Sequence, residues 1–218
     1  MLDEIKDKQK KFDVDPLQNA LIGRRFSKYF TWIMIKLGIH PIGVTALSGV
    51  FIIFAGYLFL SPNPINWILA WVSMQFYHIL DCSDGEVARM TGKGSKFGAL
   101  FDGILHPFGN SLLFACASLG LGSVPLAVFF AAAFPMHSWI RLQRVIHGIG
   151  KVDDVPMSRK GLRIILSVFV EAHANILLVL GIVAYLGFDY RLVILYMFAF
   201  SVISMFVYKL FKINRELN

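Results

Sequence analysis

Apolar residues in this chain come in long blocks separated by short polar connections. Six blocks, at 42–60, 65–86, 97–120, 124–147, 161–187 and 191–211, approach or exceed membrane-spanning length, since a spanning helix needs ~20 mostly apolar residues. Backbone groups in lipid must be bonded within their own segment, so helices are expected. The alternation of a transmembrane barrel is absent. The connections "SPNP" at 61–64 and "GLGSV" at 120–124 are short, which makes neighbouring helices antiparallel. The connection at 148–160, "GIGKVDDVPMSRK", is longer and polar. A different pattern precedes the first block. Leu17, Leu21, Phe26, Tyr29, Phe30, Ile33, Met34 and Leu37 recur at helical spacing, with Arg24, Arg25, Lys28 and Lys36 on much of the other side. That predicts an amphipathic helix lying in the membrane interface, packed on the bundle, or both.

Composition agrees. The chain has 218 residues, 56% hydrophobic and 16% charged, too little charge to cover a soluble domain. An all-α integral membrane protein with six transmembrane helices is the expected fold class. Basic residues set its orientation. Eight precede the first span, three lie around residues 89–96, six around 141–163 and three at the end, so 20 of the 21 fall on one side and Arg191 alone is opposite. The positive-inside rule then makes the protein multi-pass with both termini cytoplasmic. The expected order is a polar tail at 1–15, an interfacial helix at 16–40, a six-helix domain at 41–212 and a cytoplasmic tail at 213–218. The net charge of +7 suits membrane lipids with anionic headgroups and phosphate-bearing substrates, and needs no nucleic acid. Cys82 and Cys116 lie on different predicted helices without CxxC spacing, so no disulfide framework is expected. The N-terminus shows no apolar signal-peptide core.

One stretch breaks the oily pattern: "DCSDGEVARMTGKGSKFGALFDGILHPFGN", residues 81–110. Asp81 and Asp84 share a face at the end of the second block. After the turn "MTGKGSK", Gly98, Asp102, His106 and Asn110 recur every four residues along the third. The turn lets the two sets face each other across a groove. Carboxylates at membrane depth normally have partners, and three that converge repel unless cations lie between them. Such oxygen-rich sites suit Mg²⁺ or Mn²⁺, with substrate phosphates completing the shell. Gly85, Ala88 and Gly98 leave room for a bulky group, and Arg89 offers a planar fork for phosphate. A metal-bound diphosphate follows. An ordinary role, capping helix ends and pairing with Arg89, Lys93 and Lys96, explains one or two of the acids but not the spacing on both helices.

The stretch resembles the signature of the CDP-alcohol phosphotransferase family, D-x2-D-G-x2-A-R-x8-G-x3-D-x3-D across two transmembrane helices. Asp81, Asp84, Gly85, Ala88, Arg89, Gly98 and Asp102 match it, seven of eight fixed positions. The six-helix layout and interfacial helix extend the resemblance over nearly the whole chain. It implies an enzyme that transfers a substituted phosphate from a CDP-alcohol to an acceptor alcohol with release of CMP, one substrate being a lipid, in phospholipid or related polar-lipid synthesis. It also implies metal binding by Asp81, Asp84 and Asp102, with one or two Mg²⁺ or Mn²⁺ ions. Gly85, Ala88 and Gly98 would make room for cytidine, with Asp84 beside them and Arg89 at the diphosphate. The active site would face the cytoplasm, and a homodimer is implied because many relatives are dimers.

The eighth position departs from the pattern. The family has Asp there, as metal ligand and base; this chain has His106. Three Asp leave two divalent ions one charge short. His106 is then the catalytic base alongside Asp102, since an imidazole pKa of roughly 6.5 suits proton removal near neutrality. Otherwise it ligates a softer metal, or it marks a site that binds nucleotide and turns over poorly. A second departure is Ile42, where relatives often carry an Asn amide; Thr45 remains a candidate for the nucleotide phosphates.

Other polar residues have two readings each. His78 shares the Asp81 face and is either beside the metal ligands or a core histidine. Glu86 points away from the Asp face, towards a basic side chain or the interface. Arg141, Arg144 and Arg163, with His137 nearby, either clamp an acceptor phosphate or anchor the helices at the interface. Glu171 and Asn175 share a face, with His173 on another side, and either line the acceptor site or glue helices together. Pro107 is expected to kink its helix. The 20 Phe are read as lipid-facing bulk. The rival readings are an Asp-rich intramembrane prenyltransferase and a catalytically weak CDP-binding scaffold. A transporter fits less well, because paired broken helices are absent.

Overall fold

The structure is a computed structural model, and it describes residues 2–7, 9, 23–146 and 173–217. These residues form helices α1 (Leu2–Asp7), α2 (Arg24–Lys36), α3 (Pro41–Phe59), α4 (Pro64–Thr91), α5 (Lys96–Gly120), α6 (Val124–Ile146), α7 (His173–Tyr185) and α8 (Arg191–Leu217), and no strands are found among them.

The boundaries have local causes. Pro41 and Pro64 start α3 and α4, where a missing N–H is harmless. Asn63 caps α4, accepting from the Ile65 amide at 3.0 Å. Ser95 caps α5, accepting from the Gly98 amide at 3.0 Å. Gly92 ends α4 at φ +68°, the left-handed conformation that glycine takes without penalty. This turn reverses the chain between the two motif-bearing helices.

α3 packs against both α4 and α5, whereas α4 and α5 are not a closely packed pair. α4 also contacts α2 and α7, α5 contacts α6, and α8 packs on α6 and α7. The main core joins Ile52 and Phe59 of α3, Trp67 and Met74 of α4, Phe114 of α5, Phe130 of α6 and Leu177 of α7. Phe114 stacks on Phe198 at 5.0 Å and lies 5.1 Å from Phe130. So the phenylalanines are not only lipid-facing bulk: Phe59, Phe114 and Phe130 are fully buried, because aromatic rings fill the gaps between helices.

α3 (Pro41–Phe59) and Arg191–Tyr208 of α8 are long and apolar enough to cross a membrane on their own. α4, α5 and α6 run 28, 25 and 23 residues but carry polar groups within them. Val50, Ile53, Phe54 and Tyr57 of α3 are exposed, an apolar face without a protein partner among the described residues. Pro107 does not end α5, which continues to Gly120.

The termini differ from the sequence expectation. Leu2–Asp7 is helical rather than a plain tail, and Ile5 is fully buried. α8 continues through residues 213–217. Residues 16–22, 148–160 and 161–172, which hold the start of the expected interfacial helix, the long connection and the first half of the fifth block, lie outside the described residues.

α2 presents an unexpected face to the bundle. Its buried residues are Ser27, Thr31 and Met34. The apolar side chains Phe26, Tyr29, Ile33 and Leu37 are 40–68% exposed. Glu86 of α4, fully buried, accounts for the burial of the two hydroxyl residues. It accepts from Ser27 and Thr31, both at 2.7 Å, and pairs with Arg24 at 3.1 Å. The helix is thus packed on the bundle through Ser27, Thr31 and Met34, with Phe30 against Phe76, while Phe26, Tyr29, Ile33 and Leu37 are left exposed.

Arg191, the basic residue expected on the other side, is buried. It pairs with Asp189 at 2.6 Å and lies 4.8 Å over the Trp67 ring. This guanidinium holds the Asp189 carboxyl below the usual carboxylate range. At Gly120, an added Cβ would press on the Phe59 carbonyl and lie 2.9 Å from that of Leu60. Backbone cannot yield as a side chain can, so Gly120→Ala should lower thermal stability in detergent by about 1–3 kcal/mol. An unchanged melting temperature would contradict this close approach of α5 to the end of α3.

Candidate active site

The carboxylates arrive from two helices held apart by α3. Asp84 is 7% exposed; Asp81 and Asp102 are half-buried. Asp81 and Asp102 are within hydrogen-bonding reach of each other across the α4–α5 groove, and Asp84 lies close enough to interact with both. The predicted convergence is therefore observed for all three. Thr45 of α3 donates to Asp84 Oδ2 at 2.6 Å and to the Pro41 carbonyl at 3.2 Å. Thr45, a candidate for the nucleotide phosphates, thus also orients a carboxylate.

A cavity of about 220 Å³ opens beside them. Asp84 and Asp102 line it with Gly85, Ala88 and Gly98, the small residues singled out in the sequence, and with Thr45. Ile42 lines it where relatives often have an amide, and Lys93 adds a cation from the turn. Asp81 and His106 are outside this lining. The Arg89 guanidinium lies against Gly85, with Nη1 3.2 Å from where a Cβ would stand. Gly85 therefore makes room for Arg89 as well as for a ligand.

His106 is exposed, one turn beyond Asp102 on α5, and its Nδ1 lies 3.1 Å from the hydroxyl of Tyr77. Tyr77 is 2% exposed and electrostatically close to all three carboxylates. The motif reading missed this tyrosine, although it lies one turn before Asp81 on the same face. His78 packs against Tyr77, with ring centroids 5.0 Å apart, and is close enough to interact with His106.

Several candidates fall elsewhere. Arg141 and Arg144 are on the last turns of α6, but their side chains, like that of His173, are not described. Arg163 and Glu171 lie outside the described residues. Asn175 accepts from Trp71 Nε1 at 3.1 Å, tying α7 to α4, which is the helix-gluing alternative. Cys82 and Cys116 are buried and form no disulfide.

Among the described residues no three His, Cys, Asp or Glu side chains form a ready-made ligand cage. The donor set nevertheless fits a hard cation. It is all oxygen, it brings two carboxyl groups within hydrogen-bonding reach of each other, and it borders a cavity open to a substrate phosphate.

Residues 39–207 match the CDP-alcohol phosphatidyltransferase family. The chain is 30% identical over 141 residues to archaetidylinositol phosphate synthase of Pyrococcus horikoshii, covering 64% of this chain and 72% of that protein. Its fold is similar to that of a crystal structure of Mycobacterium tuberculosis phosphatidylinositol phosphate synthase in complex with manganese and citrate. The TM-score there is 0.59 at 17% identity, over 86% of this chain and 88% of that one.

This is an enzyme of the class that moves a substituted phosphate between alcohols. It belongs to the CDP-alcohol phosphatidyltransferase family, with a CDP-alcohol as donor and an alcohol as acceptor, in phospholipid synthesis. The family works with Mg²⁺ or Mn²⁺. Membership sets aside the prenyltransferase reading.

The like-charge contact gives a direct test. Asp102→Asn should raise the melting temperature in EDTA, because it removes repulsion at a site built for function. In Mn²⁺ with CMP the order should reverse. A variant less stable than the parent in both conditions would show that the carboxylates are not opposed in the metal-free protein.

Proposed function

We propose that the chain is a six-span membrane enzyme, with both termini and the active site cytoplasmic, that transfers the phospho-lipid part of a CDP-lipid to a phosphorylated polyol of the inositol phosphate class. The observation that carries this reading is the meeting of Asp81, Asp84 and Asp102 beside a cavity lined by Gly85, Ala88 and Gly98. The acceptor class is supported by the two similar proteins, both synthases of inositol-phosphate lipids. The basic bias of one side supports the orientation. A homodimer belongs to the reading by resemblance.

Asp81, Asp84 and Asp102 would hold the divalent ion or ions. When bound, the metal neutralises charge on the diphosphate and on departing CMP. The cavity takes the cytidine end, and its small residues let the nucleotide approach the backbone. Thr45 fixes the Asp84 carboxylate through its hydroxyl. Arg89 and Lys93 supply positive charge at the phosphates. His106 takes the proton of the acceptor hydroxyl, with Tyr77 at its Nδ1 fixing the ring. Arg141, Arg144 and Arg163 bind the acceptor phosphate.

The test is CMP release from a CDP-lipid by the protein in liposomes, with and without inositol phosphate. Release should require Mg²⁺ or Mn²⁺ and the acceptor. His106→Ala should abolish it and His106→Asp should retain part. Full activity in His106→Ala would remove the histidine base. Equal activity with unphosphorylated inositol would remove the acceptor class. No release under any of these conditions would favour a nucleotide-binding scaffold.

A further inference from the structure

The interfacial helix is fastened to the metal-site helix by a residue outside the family pattern. Glu86 lies two positions past Asp84, and its side chain is fully buried. Both carboxylate oxygens are used. Oε1 accepts from Ser27 Oγ at 2.7 Å, Gln9 Nε2 at 3.0 Å and Arg24 Nη1 at 3.1 Å, and Oε2 accepts from Thr31 Oγ1 at 2.7 Å. Each of these donors precedes the first membrane block. Gln9 also donates to the Arg24 carbonyl at 3.0 Å, and Ser83 of α4 donates to the Ser27 carbonyl at 3.2 Å. A buried carboxylate satisfied this way is a firm joint, since removing a partner leaves charge or a donor stranded away from water.

The joint sits behind the site. Two residues along a helix turn about 200°, so Glu86 and Asp84 point to nearly opposite sides of α4. α4 has no close packing against α5. Its site-bearing end is seated instead between α3, which bonds Asp84 through Thr45, and α2, which bonds Glu86. Where Asp81 and Asp84 stand relative to Asp102 therefore depends on α2.

We infer that Glu86 is a positioning residue: by latching α2 to the back of α4, it sets the spacing of the carboxylates and so the metal affinity of the site. This rests on the reading that Asp81, Asp84 and Asp102 hold the metal. It joins the lipid-exposed side of α2, with Phe26, Tyr29 and Ile33 beside Lys28 and Lys36, to the catalytic groove.

The experiment is a Mn²⁺ titration of the stabilisation by CMP, read as melting temperature of the full-length protein in detergent. Glu86→Ala should raise the Mn²⁺ midpoint about tenfold or more. Thr31→Val, which removes one donor and keeps the side-chain shape, should raise it about threefold and keeps the test alive if Glu86→Ala does not fold. Trp71→Phe removes the α4–α7 hydrogen bond at 3.1 Å; it should lower the metal-free melting temperature and leave the midpoint unchanged. A midpoint unmoved in Thr31→Val, or shifted as far in Trp71→Phe, would overturn the inference. A wild-type protein that does not respond to Mn²⁺ and CMP would overturn the metal-site reading itself, and this inference with it.

Discussion

Carboxylates of like charge, held within reach of each other in an apolar bundle, are the constraint on which this structure turns. Asp81 and Asp102 face each other from helices that do not pack closely together. Such an arrangement is unfavourable in isolation and is tolerated when a cation joins it. The neighbourhood serves that end. α3 braces both helices, and Thr45 holds one carboxylate. Gly92 and Ser95 shape the turn that brings α5 back, and the small residues keep the adjoining cavity open.

The two ends of α4 are treated differently. At its N-terminal end Arg191 is neutralised by Asp189 and covered by Trp67, which closes that end as a structural joint. At its C-terminal end the basic residues cluster and the groove opens. The buried ion pair and the open groove thus lie at opposite ends of one helix. α2 grips α4 through Ser27 and Thr31 and leaves Phe26, Tyr29, Ile33 and Leu37 exposed.

Much of this was legible in the sequence, for a definable reason. The i, i+3 and i, i+4 spacings of Asp81, Asp84 and Asp102 translate directly into helix faces, and the caps and prolines mark the helix starts. Pairings between distant segments were not legible. Ser27 and Thr31 are unremarkable polar residues until α4 places Glu86 against them, and nothing in the α2 pattern separates Met34, which is buried, from Ile33, which is exposed. Tyr77 reads as one more aromatic residue in an oily block until α5 brings His106 to its hydroxyl. That Thr45 bonds Asp84 as well as lining the cavity was not legible either, because the pairing joins residues 39 positions apart. The Phe-rich composition says nothing about which rings face inward, because that depends on helix rotation.

The most direct measurement is anomalous X-ray scattering at the manganese edge from crystals of the protein grown with Mn²⁺ and CMP. The expected result is one or two peaks between α4 and α5, each within ~2–2.5 Å of carboxylate oxygens of Asp81, Asp84 or Asp102, with CMP in the cavity lined by Gly85, Ala88 and Gly98. Manganese bound elsewhere, or CMP seated without metal at these residues, would contradict the claim that the opposed carboxylates exist to hold the ion.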